Sequence, residues 1–371
     1  MKVLYVATVV KTHIMEFHIP YLKMLKEMGW ETSVAARNDY ENPEDCAIPY
    51  CDKYYDIPFE RNPIKPGNIK ALKQLKKLIN DEKYDIVHCH TPVGGMLARL
   101  AAKKARKNGC KVFYTAHGFH FYKGAPLLNW LVYYPVEKWL ARMTDVLITI
   151  TNEDYQRAKK FKAKRVEYIP GIGVDINRFK KSNADSSVEL KESLGIPKDA
   201  TVLLSVGEVN KNKNHQLVIK ALPELNGLWY VLCGRGPLIE ELRSLAKKLG
   251  VSERVIMTGY RTDVVDFYSM ADIFVFPSFR EGLPVALMEA MATDLVCVAS
   301  RNRGTNDLMV DSQLLFDAND VSGLTACIKK ALDKDCSVEV KRNKEHLKLF
   351  DLGRTLNDVK EYYLDVVKYK D

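Results

Sequence analysis

Two glutamates stand eight positions apart in the stretch PSFREGLPVALMEAMATD, residues 277–294, which follows the apolar run IFVFP. Pro284 has the fixed φ that suits the first turn of a helix, so a helix is predicted to begin near Leu283. Glu281 then lies in the preceding loop. Glu289 lies in the helix, about 9 Å along the helix axis from Leu283 at roughly 1.5 Å per residue. A carboxylate at that depth can accept hydrogen bonds from vicinal hydroxyl groups, such as those of a ribose.

The predicted helix start is also a candidate anion site. The backbone N–H groups of Gly282, Leu283 and Val285 are expected to face outward, and with the helix dipole they suit a diphosphate. Gly282 lets the phosphate come close. The plainer alternative is a solvated helix acid at Glu289 and a charge favoured by the dipole at Glu281. For either residue taken alone, that alternative stays open.

Other polar residues directly follow predicted strands. Lys211 and Lys213 lie in the loop EVNKNKNH, and His117 follows the run FYTA. They are candidates for neutralising a phosphate and for hydrogen bonding, or else ordinary residues of surface loops. Gly234, in CGRGP, permits either a close ligand or a tight turn.

Metal ligands and a dinucleotide fingerprint were both considered. The sequence HCH at residues 88–90 places alternate residues on a buried strand, and such residues seldom complete a tetrahedral metal site without partners elsewhere. The sole DxD sequence, at 333–335, lies in a lysine-rich stretch. No glycine pattern of the GxGxxG type occurs, which argues against a nicotinamide dinucleotide. We therefore predict no metal and no resident cofactor.

Short β-branched runs alternate with amphipathic helical segments along the chain, and the pattern starts afresh near residue 200. This alternation predicts an α/β protein with two parallel, helix-covered sheets, one in each of two Rossmann-like domains. We expect domains at 1–170 and 171–351, joined near 168–180, with a helix at about 352–371 packing on the first. Ligands should bind in the loops at the carboxyl ends of the strands.

Composition agrees with this organisation. A chain of 371 residues, 47% hydrophobic and 28% charged, has enough apolar surface for two globular cores. The apolar start MKVLYVATVV is short and predicts a strand rather than a signal peptide. No run reaches the roughly 18 apolar residues of a membrane span, and the eight cysteines are scattered singly. A reduced cytoplasmic compartment is expected.

Positive charge is concentrated in the first half. Residues 1–185 hold 31 Lys and Arg against 20 Asp and Glu, whereas the remainder hold 25 against 27. Nucleic acid, an anionic membrane surface and a merely solubilising face are the alternatives. The segment 121–143, rich in aromatics with interleaved lysines, belongs either to the core, which we favour, or to a surface that touches a bilayer.

The motifs together resemble those of retaining family 4 glycosyltransferases of the GT-B fold. PSxxEGxPxxxxEAMA resembles the family's E-x7-E motif, and seven further stretches follow the family's order and approximate spacing: HCHTP, TAHGFH, YIPGIGVD with Phe179, SVG with Lys213, CGRGP, GYRTDV and ADIFVFPS. The resemblance covers most of the chain, and it implies two Rossmann-like domains whose parallel sheets face each other across a cleft. It resembles in particular bacterial enzymes that build capsule, exopolysaccharide or lipid-linked oligosaccharides.

The resemblance implies a role for each matching residue. Glu281 and His117 would contact the transferred sugar, Lys213 the diphosphate, and Glu289 the ribose. These give Glu281, His117 and Lys213 as catalytic residues. The donor nucleotide would be bound by Glu289, Gly282, Leu283, Pro284, Gly207, Lys211, Arg261 and Gly234.

Two departures from the family pattern bear on the site. The family often has an arginine after the loop glycine, where this chain has Glu208, so Lys211, Arg261 or Arg280 is expected to substitute. The Gly-Gly loop after the first strand is replaced by TVVKTHIMEFH, in which Lys11, His13 and His18 are candidates for holding the acceptor. Asp294 and Val296 replace a usual Gly and Pro, away from the chemistry.

The implied activity is hexosyl transfer with retention of configuration, from a nucleotide-sugar, with UDP favoured, to a glycan or a polyprenyl-diphosphate-linked sugar. The leaving diphosphate would accept the proton of the attacking hydroxyl. The protein would be cytoplasmic, with peripheral contact at the inner face of the membrane through its basic half and no nucleic acid partner. The alternatives are a nucleotide-sugar 2-epimerase of the same architecture and a non-catalytic nucleotide-sugar-binding protein.

Overall fold

The computed structural model describes residues 1–179 and 184–368. The chain divides into two compact units. The first comprises Met1–Gly173 together with the segment that begins at Gly353, and the second is Val174–Leu352. Each unit contains one sheet in which every paired strand is parallel, with helices along its sides, as the alternation of strands and helices predicted.

The first unit is built on a seven-stranded sheet of order β3-β2-β1-β4-β5-β6-β7. Its strands are β1 (Lys2–Val9), β2 (Glu31–Arg37), β3 (Lys53–Asp56), β4 (Ile86–Cys89), β5 (Lys111–Ala116), β6 (Val146–Thr149) and β7 (Arg165–Tyr168). The central strands are buried on both faces, because parallel sheets are covered by helices on both sides.

Seven helices of the first unit connect these strands. They are α1 (Met15–Phe17), α2 (Ile19–Glu27), α3 (Gly67–Glu82), α4 (Pro92–Ala101), α5 (Lys103–Lys107), α6 (Leu127–Leu140) and α7 (Asn152–Ala158). A π-helical turn, Val10–Ile14, leads from β1 into α1 in place of a glycine loop. Such turns occur frequently at functional sites.

The second unit has a six-stranded sheet of order β10-β9-β8-β11-β12-β13. Its strands are β8 (Thr201–Val206), β9 (Leu228–Cys233), β10 (Val255–Gly259), β11 (Ile273–Phe276), β12 (Val296–Ser300) and β13 (Leu315–Phe316). Its helices are α8 (Ala184–Ser193), α9 (Gln216–Ala221), α10 (Ile239–Lys248), α11 (Val264–Met270), α12 (Val285–Ala292), α13 (Arg303–Leu308), α14 (Val321–Asp333) and α15 (Ser337–Leu347).

The last helix, α16 (Leu352–Lys368), belongs to the first unit although it follows the second in the chain. Its Tyr363 is fully buried, and the hydroxyl group of Tyr363 hydrogen-bonds that of Tyr5 on β1 at 2.8 Å. Of the helix expected at 352–371, residues 369–371 lie outside the described part of the chain, as does Lys180 at the end of the expected linker.

Candidate functional site

Polar side chains of the second unit meet where its strand order reverses. Strands β8 and β11 are neighbours in the sheet, and the chain continues outward from β8 to β9 on one side and from β11 to β12 on the other. Ligands of doubly wound sheets bind at such a point. Lys213 lies in the loop after β8 and Glu281 in the loop after β11. Nζ of Lys213 is 2.9 Å from Oε1 of Glu281. The structure therefore brings together two residues that the sequence predicted to act on one ligand.

The Lys213–Glu281 ion pair is largely shielded from solvent. The two side chains are 21% and 15% exposed, and the ammonium group also lies 5.1 Å from the centre of the Phe276 ring. Partial burial strengthens the attraction between the charges because the surroundings are less polar than water. The lysine is thus held beside the strand ends, where a cation can neutralise a phosphate.

The helix that follows Glu281 begins later than the sequence predicted. Pro284 is its N-cap, in an extended conformation, and the first helical residue is Val285, so Leu283 belongs to the loop. The prediction near Leu283 was wrong because Pro284 takes the cap position rather than the first turn. The N–H groups that open a helix have no intrahelical acceptor, and in α12 these include those of Val285 and Ala286. The candidate anion site is therefore shifted toward the N–H groups of Val285 and Ala286.

A second helix, α13, supports the Glu281 loop, and the sequence analysis missed it. Nε of Arg303 donates a hydrogen bond of 3.1 Å to the carbonyl oxygen of Glu281. A Cβ atom added to Gly304 would lie 2.1 Å from the carbonyl oxygen of Gly282, so only glycine allows this approach. Asn302 caps α13 in a capping box with Thr305. An asparagine before RGT was a visible helix-start signal.

Glu289 is more enclosed than a solvated helix acid. The Tyr268 hydroxyl group donates a hydrogen bond of 2.8 Å to Oε2 of Glu289 and also lies 3.1 Å from the carbonyl oxygen of Ala286. Burial raises the pKa of Glu289, against the lowering influence of the Tyr268 hydrogen bond and of Arg178. A half-buried carboxylate with one oxygen fixed by tyrosine is prepared to accept hydrogen bonds from a ligand.

The residues considered for a second cation differ in their surroundings. Arg261 pairs with Asp263, with 2.8 Å between Nε and Oδ1. Lys211 is exposed and lines a cavity of about 220 Å³ beside α9 and α10. Arg280 is also exposed, and its carbonyl oxygen accepts a hydrogen bond from Asn212. Within residues 1–179 and 184–368, neither Lys211 nor Arg280 forms an ion pair, whereas Arg261 does.

Gly207 and Gly234 are in close backbone contact. A Cβ atom added to Gly234 would lie 1.8 Å from the carbonyl oxygen of Gly207, and Gly207 has φ +151. The N–H group of Gly207 donates to the carbonyl oxygen of Cys233. Gly234 therefore allows the loops after β8 and β9 to touch, which is the tight-turn alternative raised by the sequence.

The first unit gathers five histidines where its own strand order reverses, between β1 and β4. This histidine cluster consists of His13, His18, His88, His90 and His117. The π-helical turn supplies His13, His18 precedes α2, and the ends of β4 and β5 supply the last three. His13 and His18 were predicted as acceptor candidates and His117 as a contact of the donor sugar, and the topology places all three together.

Ring nitrogens of the histidine cluster approach one another closely. Nε2 of His18 lies 3.2 Å from Nε2 of His13, and Nδ1 of His90 lies 3.3 Å from Nε2 of His117. Burial lowers the pKa of all five, that of His117 to about 4 and that of His88 to about 3. At neutral pH the rings are thus uncharged and can donate or accept hydrogen bonds.

Three members of the histidine cluster have the geometry of a metal-binding group. The ligand nitrogens of His13, His18 and His117 lie within 4.8 Å of one another, and neutral imidazole is a common ligand of transition metals. His88, which the HCH sequence suggested, instead contacts Tyr363 through Nδ1 and Thr115 through Nε2. The three histidines that could hold a metal therefore do not include either histidine of the HCH sequence.

A strained residue follows His90. Thr91 has φ 60 and ψ 151, a combination that is normally restricted to glycine. Its hydroxyl group is 2.7 Å from that of Thr8 and 3.2 Å from the N–H group of Thr8. These contacts hold the start of α4 against the end of β1. Strain of this kind concentrates at functional sites, and no sequence pattern revealed it.

A cavity of about 540 Å³ lies beside α6 in the first unit, and we call it the α6 cavity. Its lining combines apolar side chains with Arg61, His13 and His120. His120 stacks on Tyr133 of α6, with 4.7 Å between ring centres. Lys11, the remaining acceptor candidate, lies over the ring of Tyr40.

The segment 121–143 divides its residues between the core and the surface. Trp130, Tyr133 and Tyr134 pack against the core, as we favoured. The opposite face of α6 leaves large apolar side chains exposed: Leu127, Leu128, Leu131, Val132, Val136 and Trp139. Among the described residues, no helix is both long and apolar enough to cross a bilayer.

Two doubly wound parallel units in succession, with a cation–carboxylate pair at the reversal point of the second, define a glycosyltransferase of the GT-B architecture. Residues 2–152 match the family Glycosyl transferase 4-like, and residues 186–346 match Glycosyl transferases group 1. The chain belongs to the family 4 glycosyltransferases of the GT-B fold.

Relatives share this architecture over nearly the whole chain. The putative glycosyltransferase EpsD of Bacillus subtilis (strain 168) is 40% identical over 98% of this chain and 96% of its own length. The UDP-Gal:alpha-D-GlcNAc-diphosphoundecaprenol alpha-1,3-galactosyltransferase of Escherichia coli is 32% identical over 82% of this chain and 81% of its own. Anabaena Alr3699/HepE, crystallised with UDP and glucose, superposes with a TM-score of 0.80 at 17% identity, covering 98% and 100% of the two chains. The chain is thus similar to glycosyltransferases of polysaccharide and lipid-linked oligosaccharide biosynthesis.

Proposed function

We propose that this protein transfers a hexosyl group from a UDP-sugar to a polyprenyl-diphosphate-linked sugar during the synthesis of a surface polysaccharide such as capsule or exopolysaccharide. The E. coli relative is named for a UDP-sugar donor and a diphosphoundecaprenol acceptor. The structural neighbour from Anabaena was crystallised with UDP. The E. coli name supports the donor and the acceptor class proposed for this chain, and the Anabaena complex supports UDP as the nucleotide.

The observation that carries the proposal is the Lys213–Glu281 ion pair beside the start of α12. The diphosphate is proposed to bind the opening amides of α12, with Lys213 neutralising the charge that develops on the leaving group. Glu281 accepts hydrogen bonds from the transferred sugar, and Glu289 from the ribose. His117, uncharged at neutral pH, hydrogen-bonds the sugar.

We propose retention of configuration by front-face displacement. The acceptor hydroxyl attacks the anomeric carbon from the side that the diphosphate leaves, and the leaving diphosphate takes the hydroxyl proton. Positioning and electrostatic stabilisation then supply most of the rate. Catalysis is proposed to be independent of metal, because the amides and Lys213 neutralise the diphosphate.

The test is a transfer assay with purified protein, a panel of UDP- and GDP-sugars and a polyprenyl-diphosphate-linked sugar. Glu281→Gln is expected to abolish transfer while donor binding, measured by thermal shift, largely remains. Product from a UDP-sugar without acceptor would instead indicate a 2-epimerase. Donor binding with no turnover under any condition would indicate a nucleotide-sugar-binding protein.

We also propose peripheral contact of the first unit with an anionic membrane. The excess of Lys and Arg in residues 1–185 and the exposed apolar face of α6 support it. Cosedimentation with vesicles that contain anionic lipid is expected, and it should weaken at high salt. If the protein sedimented equally well with neutral vesicles, the proposed attraction of its basic residues to anionic lipid would be contradicted.

A further inference from the structure

We infer that the α6 cavity binds the part of an isoprenoid tail that lies next to the diphosphate of the acceptor. This inference rests on the proposed function and adds a binding site to it. The cavity volume of about 540 Å³ lies within the range of small-molecule sites, roughly 300–1,000 Å³. The question is which chemistry its lining can accommodate.

Most of the cavity wall is apolar. Six aliphatic or thioether side chains contribute: Val9, Val93, Met96, Val132, Val136 and Leu140. Burying hydrocarbon against such a wall is favourable because it removes apolar surface from water. A glycan, whose hydroxyl groups need hydrogen-bond partners, would leave many of those groups unsatisfied there. The wall favours a branched hydrocarbon.

One part of the cavity is polar and positively charged. Arg61 lines it, and Nη2 of Arg61 lies 3.2 Å from Oγ1 of Thr12. Glu137, the carboxylate in the lining, is already bound by Arg99, with nitrogen–oxygen distances of 2.8 Å and 3.1 Å. An anion in the cavity therefore meets a guanidinium group and no unpaired lining carboxylate. The lining suits a molecule that is apolar along most of its length and anionic at one end.

The cavity opens onto apolar surface. Val132 and Val136 belong to its lining and also to the exposed face of α6. On another part of the lining, Pro63 precedes Ile64, whose side chain is 88% exposed. Exposed apolar surface of this extent marks an interaction site. A tail longer than the cavity can thus contact the exposed apolar side chains of α6 that adjoin the lining.

A polyprenyl diphosphate meets all three conditions: a branched hydrocarbon, an anionic end, and a length greater than the cavity. An ordinary bilayer would cover the outer face of α6, but it would not require a cavity with an arginine. The two occupants make different predictions for substitutions inside the cavity and outside it.

The experiment compares two acceptors with the same diphosphate-linked sugar, one on an undecaprenyl tail and one on a methyl group, which leaves the apolar part of the cavity empty. Met96→Trp, which fills the cavity, is expected to raise the KM for the undecaprenyl acceptor at least tenfold. The KM for the methyl acceptor should rise by a clearly smaller factor, because this acceptor has no tail for the tryptophan to exclude. Leu131→Ser is the matched control because it removes apolar surface on the exposed face of α6 outside the cavity lining.

Direct binding of undecaprenyl diphosphate without sugar, in detergent, tests the cavity even where no transfer occurs. Wild-type binding that weakens at least tenfold in Met96→Trp and in Arg61→Ala supports the inference. It is overturned if Met96→Trp, shown by its melting temperature to be folded, binds as the wild type does. It is also overturned if only Leu131→Ser weakens binding, which would indicate bilayer contact alone. Failed transfer with intact, cavity-dependent binding would count against the proposed function and not against the site.

Discussion

The hydroxyl group of Tyr268 donates a hydrogen bond of 2.8 Å to Glu289, joining α11 to α12 in the second unit. The phenol fixes one oxygen of a carboxylate whose burial raises its pKa. A carboxylate held in this way has lost most of its freedom before a ligand arrives. The entropy lost on ordering the Glu289 side chain is therefore lost on folding and not on ligand binding.

Replacement of Tyr268 by Phe is expected to weaken donor binding about five- to tenfold, the effect of losing a hydrogen bond worth roughly 1 kcal/mol. The kcat should change little, because Glu289 is assigned to the ribose and not to the reacting carbon. Isothermal titration with UDP measures the effect, and Tyr260→Phe, at an exposed tyrosine, is the control. Equal affinity in Tyr268→Phe and wild type would remove Glu289 from the nucleotide site.

Lys213→Ala is expected to reduce kcat by about 10²- to 10³-fold, the usual effect of removing one group that stabilises developing charge. Lys220→Ala, at an exposed lysine of α9, is the control and should retain activity within about threefold. Steady-state transfer kinetics distinguish the two. A larger loss in Lys211→Ala would show that the diphosphate lies toward the smaller cavity beside α9.

Gly304→Ala is expected to displace the loop that carries Glu281, because the new Cβ atom would lie 2.1 Å from the carbonyl oxygen of Gly282. Stability should fall by about 1–3 kcal/mol, as for other overpacked sites. Donor affinity should fall as well. Gly67→Ala is the control, since its Cβ atom would meet only the flexible side chain of Glu60. Urea unfolding together with UDP titration checks both effects, and wild-type UDP affinity in Gly304→Ala would contradict the support assigned to α13.

The histidine cluster predicts a loss of stability in acid. Burial lowers the pKa of His117 from 6.5 to about 4, so between these values the unfolded chain binds a proton that the native chain does not. The free energy of unfolding therefore decreases as the pH falls from 6.5, by up to about 1.4 kcal/mol per pH unit for each such histidine.

Urea unfolding at several pH values measures this slope. His18→Gln should reduce the slope by about one proton, because burial lowers the pKa of His18 as well. Thr12→Ser, at an exposed position of the same π-helical turn that carries no titrating group, is the control and should leave the slope as it is. A slope that stays the same in His18→Gln would mean that His18 is already protonated in the native protein.

Chelation is expected to leave transfer unchanged, because the proposed mechanism neutralises the diphosphate with Lys213 and backbone amides. The assay is run after dialysis against EDTA, and the dialysed protein is analysed for bound metal. Lost activity that Zn²⁺ restores would instead assign a metal to His13, His18 and His117, whose nitrogens lie close enough to share one.

Much of the fold was predictable because parallel sheets leave a strong trace in sequence. Strands such as β1 and β8 are continuous apolar runs, and the helices between them are amphipathic. The start of α12 was placed too early, since proline suits the cap as well as the first turn. Such boundaries depend on a few backbone angles that neighbouring elements decide.

The sites were predictable to different degrees. Lys213 and Glu281 follow adjacent strands, so their meeting follows from topology alone. The histidine cluster combines residues from the π-helical turn, β4 and β5, and its neutrality depends on burial that no short motif encodes. The contact between Gly304 and Gly282 depends on how closely two backbone segments approach each other. The only trace of that approach in the sequence is a glycine. The roles of the individual residues stay predictions.

Tyr363 of α16 hydrogen-bonds Tyr5 and contacts His88, although the whole second unit is translated between these residues. When residues 1–173 have left the ribosome, their sheet still lacks this tyrosine. The nascent first unit must wait for the contact between Tyr363 and His88 until roughly as many codons again as residues 1–173 have been read. Formation of this contact is thereby tied to the late stages of synthesis, after the second unit has been made.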